Sequence, residues 1–377
     1  MSAVCVEEYF LRSYGHAPEV RVSAPGRVNL MGEHTDYNGG RVLPVALPQR
    51  THVAASRRID RRILAKSAEQ GEHAELSADE PLEGARAGSW DAYVRGVVSA
   101  LGEVGYQLGG CELAIASSVP LGSGVSSSAA LTVALCRAFC DLFSLSCNAL
   151  QVASIAYRAE HDHVGIPIGV MDPMAVALGD ETHALFLDTR TMQHSLVAMP
   201  ANLELVVVDS GVRHNIGAGD YRLRREECAA AASRLEVAYL CELDPNEAQL
   251  ERLPTRLQRR ARHVISENAR VAEAVAALRG DEAQVLGSLF NASHASQRDD
   301  FEVSVPDVDR LAECLRTQPG AYGARLTGGG FGGSVVAVVE RGAGERVALA
   351  ACEAYRTSSG HALPTVLLPL SELTTNR

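Results

Sequence analysis

The stretch APGRVNLMGEHTDYNGGRVLP, residues 24–44, packs four charged or titratable side chains, Arg27, Glu33, His34 and Asp36, into a short span. It follows Val20-Arg21-Val22-Ser23, whose alternation predicts a half-buried strand. Pro25-Gly26 predicts a turn, and Gly39-Gly40 a second one after Tyr37-Asn38. Beside the apolar Val28, Leu30 and Met31, this density of polarity suits a small ligand rich in hydroxyls, because every buried hydroxyl needs a donor or acceptor. A polar hairpin loop is the plainer alternative, and this stretch alone leaves both open.

The chain around it has 377 residues, which predicts two domains. A hydrophobic content of 46% with 21% charged residues is that of a soluble globular protein. Glu7 and Glu8 near the start, with no apolar run, predict no signal peptide, and no stretch has the length of a membrane span. Nine cysteines without a C-x-x-C pair read as reduced thiols and point to the cytoplasm. Cys136 and Cys140 lie one helical turn apart in an apolar segment, where packing is the expected role. A net charge of −11 argues against nucleic acid or an anionic membrane as partner, so a phosphate ligand would have to be held by local devices.

One such device lies at Val119–Leu142, VPLGSGVSSSAALTVALCRAFCDL. Gly122 and Gly124 let the backbone approach a ligand, and Ser126-Ser127-Ser128 opens a helix whose surface is broken only by Thr132, Arg137 and Asp141. The unpaired N–H groups and positive dipole end of a buried helix bind phosphate, and a serine there reaches a phosphate-bound Mg²⁺. The loop lacks the Gly-Lys-Ser/Thr of a Walker motif, and a serine-capped core helix is the alternative reading.

Further along, Asp172 precedes Pro173, a pairing that predicts an N-cap, or a carboxylate fixed beside a substrate hydroxyl. His161 and His163 match no zinc spacing and read as structural or surface residues. Leu203–Asp209 predicts a buried strand, followed by a polar loop that meets a long Ala-rich helix at Tyr221. Asp244–Gly280 reads as helix, the end of Leu286–Val305 as a strand, and Ala324–Val339 as a glycine loop entering an apolar strand, with a flexible linker as the alternative for the glycines.

Together these stretches resemble the galactokinases, within the galactose, homoserine, mevalonate and phosphomevalonate kinase superfamily. GRVNLMGEHTDYN (26–38), PLGSGVSSSAAL (120–131) and the run 323–333 resemble the three family signatures, and SHASQRDDFEVS (293–304) resembles the segment before the third. The likeness runs from about Tyr9 almost to the C-terminus.

The resemblance implies an α+β fold of two domains, residues 1–195 like ribosomal protein S5 domain 2 and residues 196–377 ferredoxin-like, with the Gly-rich loop 328–333 in the second and the active site in the cleft between them. It implies an ATP-dependent sugar 1-kinase acting on D-galactose, in a monomer that binds no nucleic acid and no membrane. Arg27 and Asp172 become the catalytic pair, with Asp172 as base. Glu33, His34, Thr35, Asp36, Gly169 and Tyr221 become sugar contacts. Gly122, Ser123, Gly124, Val125, Ser126, Ser127 and Ser128 become the ATP phosphate loop, Ser67 a nucleotide contact, and Ser128 with Glu160 the Mg²⁺ ligands. Where the family has a small Cys or Ser before the glycine and a Gln after the base, this chain has Ile168 and Pro173. These departures bear on sugar preference, so kinases of N-acetylgalactosamine or L-arabinose are the nearest alternatives. A sugar sensor without turnover is the alternative from another class.

Overall fold

The computed structural model describes residues 5–368 apart from 72, 83, 85–88, 214–216, 246 and 361. The predicted loop after Asp209, the helix that the spacing of Val6, Phe10 and Leu11 predicts over Val4–Tyr14, the surface loop and edge strand that polar, Gly-containing sequence predicts over 69–88, and the C-terminal end of the family likeness therefore lie partly outside the described residues.

A short helix, α1 (Val6–Tyr14), leads into β1 (Val20–Asn29), β2 (Arg41–Val42), β3 (Pro44–Arg57), β4 (Arg62–Ser67) and β5 (His73–Ser77). Then come α2 (Asp91–Glu103), β6 (Cys111–Ser117), α3 (Ser127–Phe143), α4 (Ala149–Arg158), α5 (Met171–Leu178), β7 (His183–Asp188) and β8 (His194–Ala198). A five-stranded sheet has the order β1-β3-β6-β4-β5, antiparallel except where β4 meets β6, and β2, β7 and β8 form a small second sheet. Alternation along β6 assigns its two faces. Cys111, Leu113 and Ile115 enter the core under α2 and α3, whereas Ala114 and Ala116 meet α1.

The second half begins with β9 (Leu203–Arg213) and continues through α6 (Gly217–Arg234), α7 (Glu247–Leu250), α8 (Thr255–Arg279), α9 (Ala283–Ser296) and α10 (Pro306–Arg316). It closes with β10 (Ala321–Thr327), β11 (Gly332–Glu340), α11 (Gly344–Ser359) and β12 (Thr365–Leu368). Its antiparallel sheet has the order β10-β11-β9-β12. The continuous apolar run of β11 is buried on both faces. Val335, Ala337 and Val339 join the helices of this half, while Val336 and Val338 join a core shared with Val28, Leu30 and Met31 of the first half. That shared core seats the polar stretch 24–44 against the second sheet.

Three local expectations are corrected. Pro25-Gly26 makes no turn: β1 runs through it with a bulge between Pro25 and Arg27. Gly26 is there because a side chain would meet the Val125 carbonyl, 2.9 Å from an ideal Cβ. The segment 302–305 is not a strand, since α9 ends in a π-type turn, Gln297–Phe301, and the chain then passes to α10. The expected helix over 244–280 is broken into α7 and α8, with Pro254 at the N-terminal boundary of α8. Among the described residues no helix is long and apolar enough to cross a membrane.

Candidate active site

The bulge at Gly26 turns Arg27 toward α5. Arg27 is buried and grips Asp172 with a two-pronged contact, Nε to Oδ1 at 2.8 Å and Nη2 to Oδ2 at 2.7 Å. Its Nη1 donates to the Gly124 carbonyl at 2.6 Å, and its own N–H to the Val125 carbonyl at 3.0 Å. The sugar stretch and the glycine loop are thus tied together at the carboxylate. Asp172 is not the N-cap: α5 begins at Met171, and the side chain makes no capping bond. Its charge faces Arg27, and the Ser126 hydroxyl donates to Oδ2 at 2.5 Å. Pro173 sits in the first turn, where a missing N–H breaks no helical bond.

The glycine loop has φ of 70° at Gly122 and 74° at Gly124, the left-handed region that glycine occupies without strain. Ser126 also sits there, at φ 60°, and so aims its hydroxyl at Asp172 instead of capping α3. Ser123 is fully buried, its hydroxyl donating to Asp209 Oδ2 at 2.6 Å, so it serves the loop's shape. Arg213 holds the same carboxylate, with 2.8 Å and 2.6 Å contacts, and its Nε lies 3.1 Å from where a Cβ on Gly122 would stand. This cation beside the phosphate loop was missed in the sequence. "VRH" after an apolar strand carries no special signal, and only the fold brings it to Gly122.

A cavity of about 260 Å³ opens beside this point, lined by Arg27, Glu33, His34, Asp36, Asp172 and Tyr221, the segment 166–169, Met171 and the glycine loop 328–331. Thr35, a predicted sugar contact, does not line it. Its hydroxyl donates to the carbonyls of Gly32 and Arg41 and braces the loop. His34 adopts φ 64°, rests among the rings of Tyr37, Tyr221 and Phe301, and keeps a buried Nε2 without a hydrogen bond. Burial and the neighbouring His263 push its pKa down to about 3, so the ring is neutral.

Glu33 is held from the second half of the chain. It pairs with the fully buried Arg325 of β10, and its Oε1 accepts from the Gly328 N–H at 3.0 Å and the Thr327 hydroxyl at 3.2 Å. Arg325 also donates to the carbonyls of Asn29 and Leu30. Behind it Glu267 of α8, fully buried, accepts from Gly32 N–H, Ser293 and Arg270. Burial pushes the Glu33 carboxyl up, while Glu267 is held down by Arg270 and Arg325 against its own burial.

Gly169 has a plain reason to lack a side chain. A Cβ there would stand 1.6 Å from Asp36 Oδ2. Burial, then the charge of Asp172, pushes Asp36 up to about 6. Because that value lies above the ordinary aspartate range, the proton stabilises the fold at acid pH, and this contribution is lost as pH rises through about 6. If Asp36 is to accept hydrogen bonds from sugar hydroxyls through both oxygens, it must be ionised. Hence kcat/KM for a sugar should rise between pH 5 and pH 7 with a midpoint near about 6, and a pH–rate profile checks it.

A second cavity of about 250 Å³ lies on the far side of the helix mouth, lined by Ser67, Ser127 and Ser128 together with Trp90, the residue just before α2, and Tyr93 within it. Ser67 therefore sits near the phosphate helix, although its hydroxyl also accepts the Gln70 N–H. Trp90 and Tyr93 carry no motif that marks them in the sequence, where the segment Trp90–Leu101 predicts only a helix. Glu160, buried in a π-type turn (Ala159–Val164), accepts from Thr132 at 2.9 Å, and its Oε2 has no hydrogen-bond partner. Burial pushes its pKa up to about 7, with the hydroxyls of Ser128 and Thr132 pulling the other way. His161 meets Asp162 at 2.8 Å and His163 lies 3.1 Å from Glu103, both away from the two cavities.

A glycine loop on a buried helix mouth, facing a carboxylate–arginine pair in the cleft between two α+β domains, is the construction of a small-molecule kinase. Family models for the GHMP kinase N-terminal domain match residues 92–180 and for the C-terminal domain residues 270–357, and the galactokinase galactose-binding signature matches residues 8–57. The chain belongs to the galactokinase family. It is 42% identical to a galactokinase of Roseiflexus sp. (strain RS-1) across 94% of this chain and 92% of that protein. It superposes on the Lactococcus lactis galactokinase complexed with galactose with a TM-score of 0.89, at 31% identity over 96% of this chain and 95% of the other. At 15% identity, the Methanococcus jannaschii mevalonate kinase shares the fold, with a TM-score of 0.67 over 92% of this chain and 96% of the other. The expected pair of domains, S5-like and ferredoxin-like, is the fold of this family.

Proposed function

We propose that the protein transfers the γ-phosphoryl group of ATP to the anomeric hydroxyl of D-galactose. The observation that carries this reading is the grip of Arg27 on Asp172 at the point where the polar cavity meets the glycine loop. Galactose would lie in that cavity, its hydroxyls facing Glu33, His34, Asp36 and Tyr221. The adenine ring would lie by Trp90 and Tyr93, and the phosphates would follow Gly122–Ser128 to the N-terminus of α3. Asp172 accepts the proton of the anomeric hydroxyl, while Arg27 and Arg213 face the charge that builds on the transferred phosphate. Phosphoryl transfer through a loose transition state asks mainly for such positioning and neutralisation.

The donor set also suits Mg²⁺. Glu160 Oε2 is a buried carboxylate oxygen without a partner, and Ser128 adjoins it. In nucleotide sites Mg²⁺ takes only one or two protein oxygens beside water and phosphate. Bound there by Ser128 and Glu160, the ion would neutralise phosphate charge. Ser128→Ala should raise the Mg²⁺ concentration needed for half-maximal rate by about tenfold, and an unchanged metal dependence speaks against ligation.

All proposed contacts come from one chain, so we infer a monomer as the active unit, with residues 1–195 and 196–377 as its domains. The cysteines among the described residues are all free, which suits a reducing compartment such as the cytoplasm. A coupled assay for ADP across free galactose, N-acetylgalactosamine, L-arabinose and glucose tests the function. Galactose should give the highest kcat/KM. Binding of galactose without ADP formation would favour a sensor instead.

A further inference from the structure

The proposed galactose cavity has walls from both halves of the chain: the segment 166–169 before α5, and Tyr221 on α6. One turn after Tyr221, Arg225 reaches across between them. A single Nη of Arg225 donates to the Pro167 carbonyl at 2.5 Å and the Ile168 carbonyl at 3.0 Å. Its guanidinium carbon stands 5.0 Å from the centre of the Tyr37 ring.

The wall segment needs such support. It belongs to no helix or strand, and the backbone bonds within its reach are Ile166 N–H to Glu160 O and Ile168 N–H to Ile166 O. Its next residue is Gly169, which touches Asp36 so closely that no Cβ fits. Any drift of the segment is therefore passed directly to Asp36. Arg225 grips the residue before Gly169 and stacks on the residue after Asp36, so it brackets that contact from both sides.

We infer that Arg225 is a positioning residue for the sugar: a latch from α6 that holds the 166–169 wall and Tyr37, and through them Asp36 and Gly169, in the geometry that binds galactose. The inference rests on the galactokinase reading of this cavity. The latch acts on a wall of the sugar cavity and touches no residue of the nucleotide cavity. Its loss should therefore be felt in sugar binding and not in ATP binding or chemistry.

Steady-state kinetics of Arg225→Met, Arg225→Lys and Asp36→Asn, with ATP and galactose varied separately, tests this. Arg225→Met should raise the galactose KM by about tenfold or more, while the ATP KM and kcat stay within about threefold of the wild type. Arg225→Lys should recover part of the loss, because an ammonium reaches carbonyl oxygens but lacks the planar face that stacks on Tyr37. A galactose KM unchanged in Arg225→Met overturns the latch. So does a variant in which kcat and both KM values worsen by similar factors, the sign of general loosening. If Arg225→Met does not fold, Arg225→Lys decides: its galactose KM alone should rise, and an unchanged value overturns the latch. Asp36→Asn separates the two claims. If it leaves the galactose KM unaltered, the reading of the cavity itself fails. If it raises that KM and the Arg225 variants do not, only the latch fails.

Discussion

Asp172→Asn is expected to lower kcat by about 10³, within the range by which a positioned general base contributes, while galactose and ATP still bind. The amide keeps the size of the side chain but cannot take the hydroxyl proton, and it removes the negative charge that both prongs of Arg27 engage. Binding should survive because the proposed sugar contacts at Glu33, His34 and Asp36 and the helix mouth at Ser127 are untouched. Rapid-quench single turnovers with calorimetric titration of each substrate separate the two effects. Turnover within about tenfold of the wild type would remove Asp172 from the role of base.

The second large effect is expected at Arg325, which does not line the sugar cavity. Arg325→Met leaves Glu33 and Glu267 facing one another in a buried site with one of their cations gone. Breaking a buried pair by removing one partner costs about 3–5 kcal/mol, because the remaining charge keeps its desolvation penalty. The Leu30 carbonyl loses its Arg325 donor in the same step, whereas the Asn29 carbonyl keeps the Thr327 hydroxyl. The urea midpoint should fall accordingly, and the galactose KM should rise by about tenfold or more as Glu33 loses its orientation. Lowering the pH should relieve part of the destabilisation, since Glu33 already holds its proton above the ordinary carboxylate range. A variant that unfolds at the wild-type urea concentration would show that the network holds nothing.

Local chemistry made the two loops legible in the sequence. Residues 27–36 are dense in polarity beside Leu30 and Met31, and Gly122 and Gly124 precede a helix that is apolar nearly all round. What stayed hidden depends on distance along the chain. Arg213 meets Gly122 only after β9 pairs with β11, and Arg325 meets Glu33 only because the two halves share one apolar core. The Asp172-Pro173 pair suggested a cap because capping is the commonest local use of such a residue. In the fold, Arg27 offers a charged partner and wins. Pro25-Gly26 reads as a turn for a similar reason, and becomes a strand bulge because β3 continues alongside it and Val125 fills the space a side chain would need. Thr35 sits within the sugar signature, yet its hydroxyl turns inward to brace the loop.

Transfer by the proposed route requires that the anomeric oxygen of the sugar meet the terminal phosphate beside Asp172 and Arg27. A crystal structure with galactose and a non-hydrolysable ATP analogue measures this directly. The prediction is O1 within hydrogen-bond distance of an Asp172 oxygen, with the γ-phosphate between it and the N-terminus of α3. Galactose bound with its first carbon turned away from Asp172, or a nucleotide whose phosphates lie outside the 122–128 loop, would contradict it.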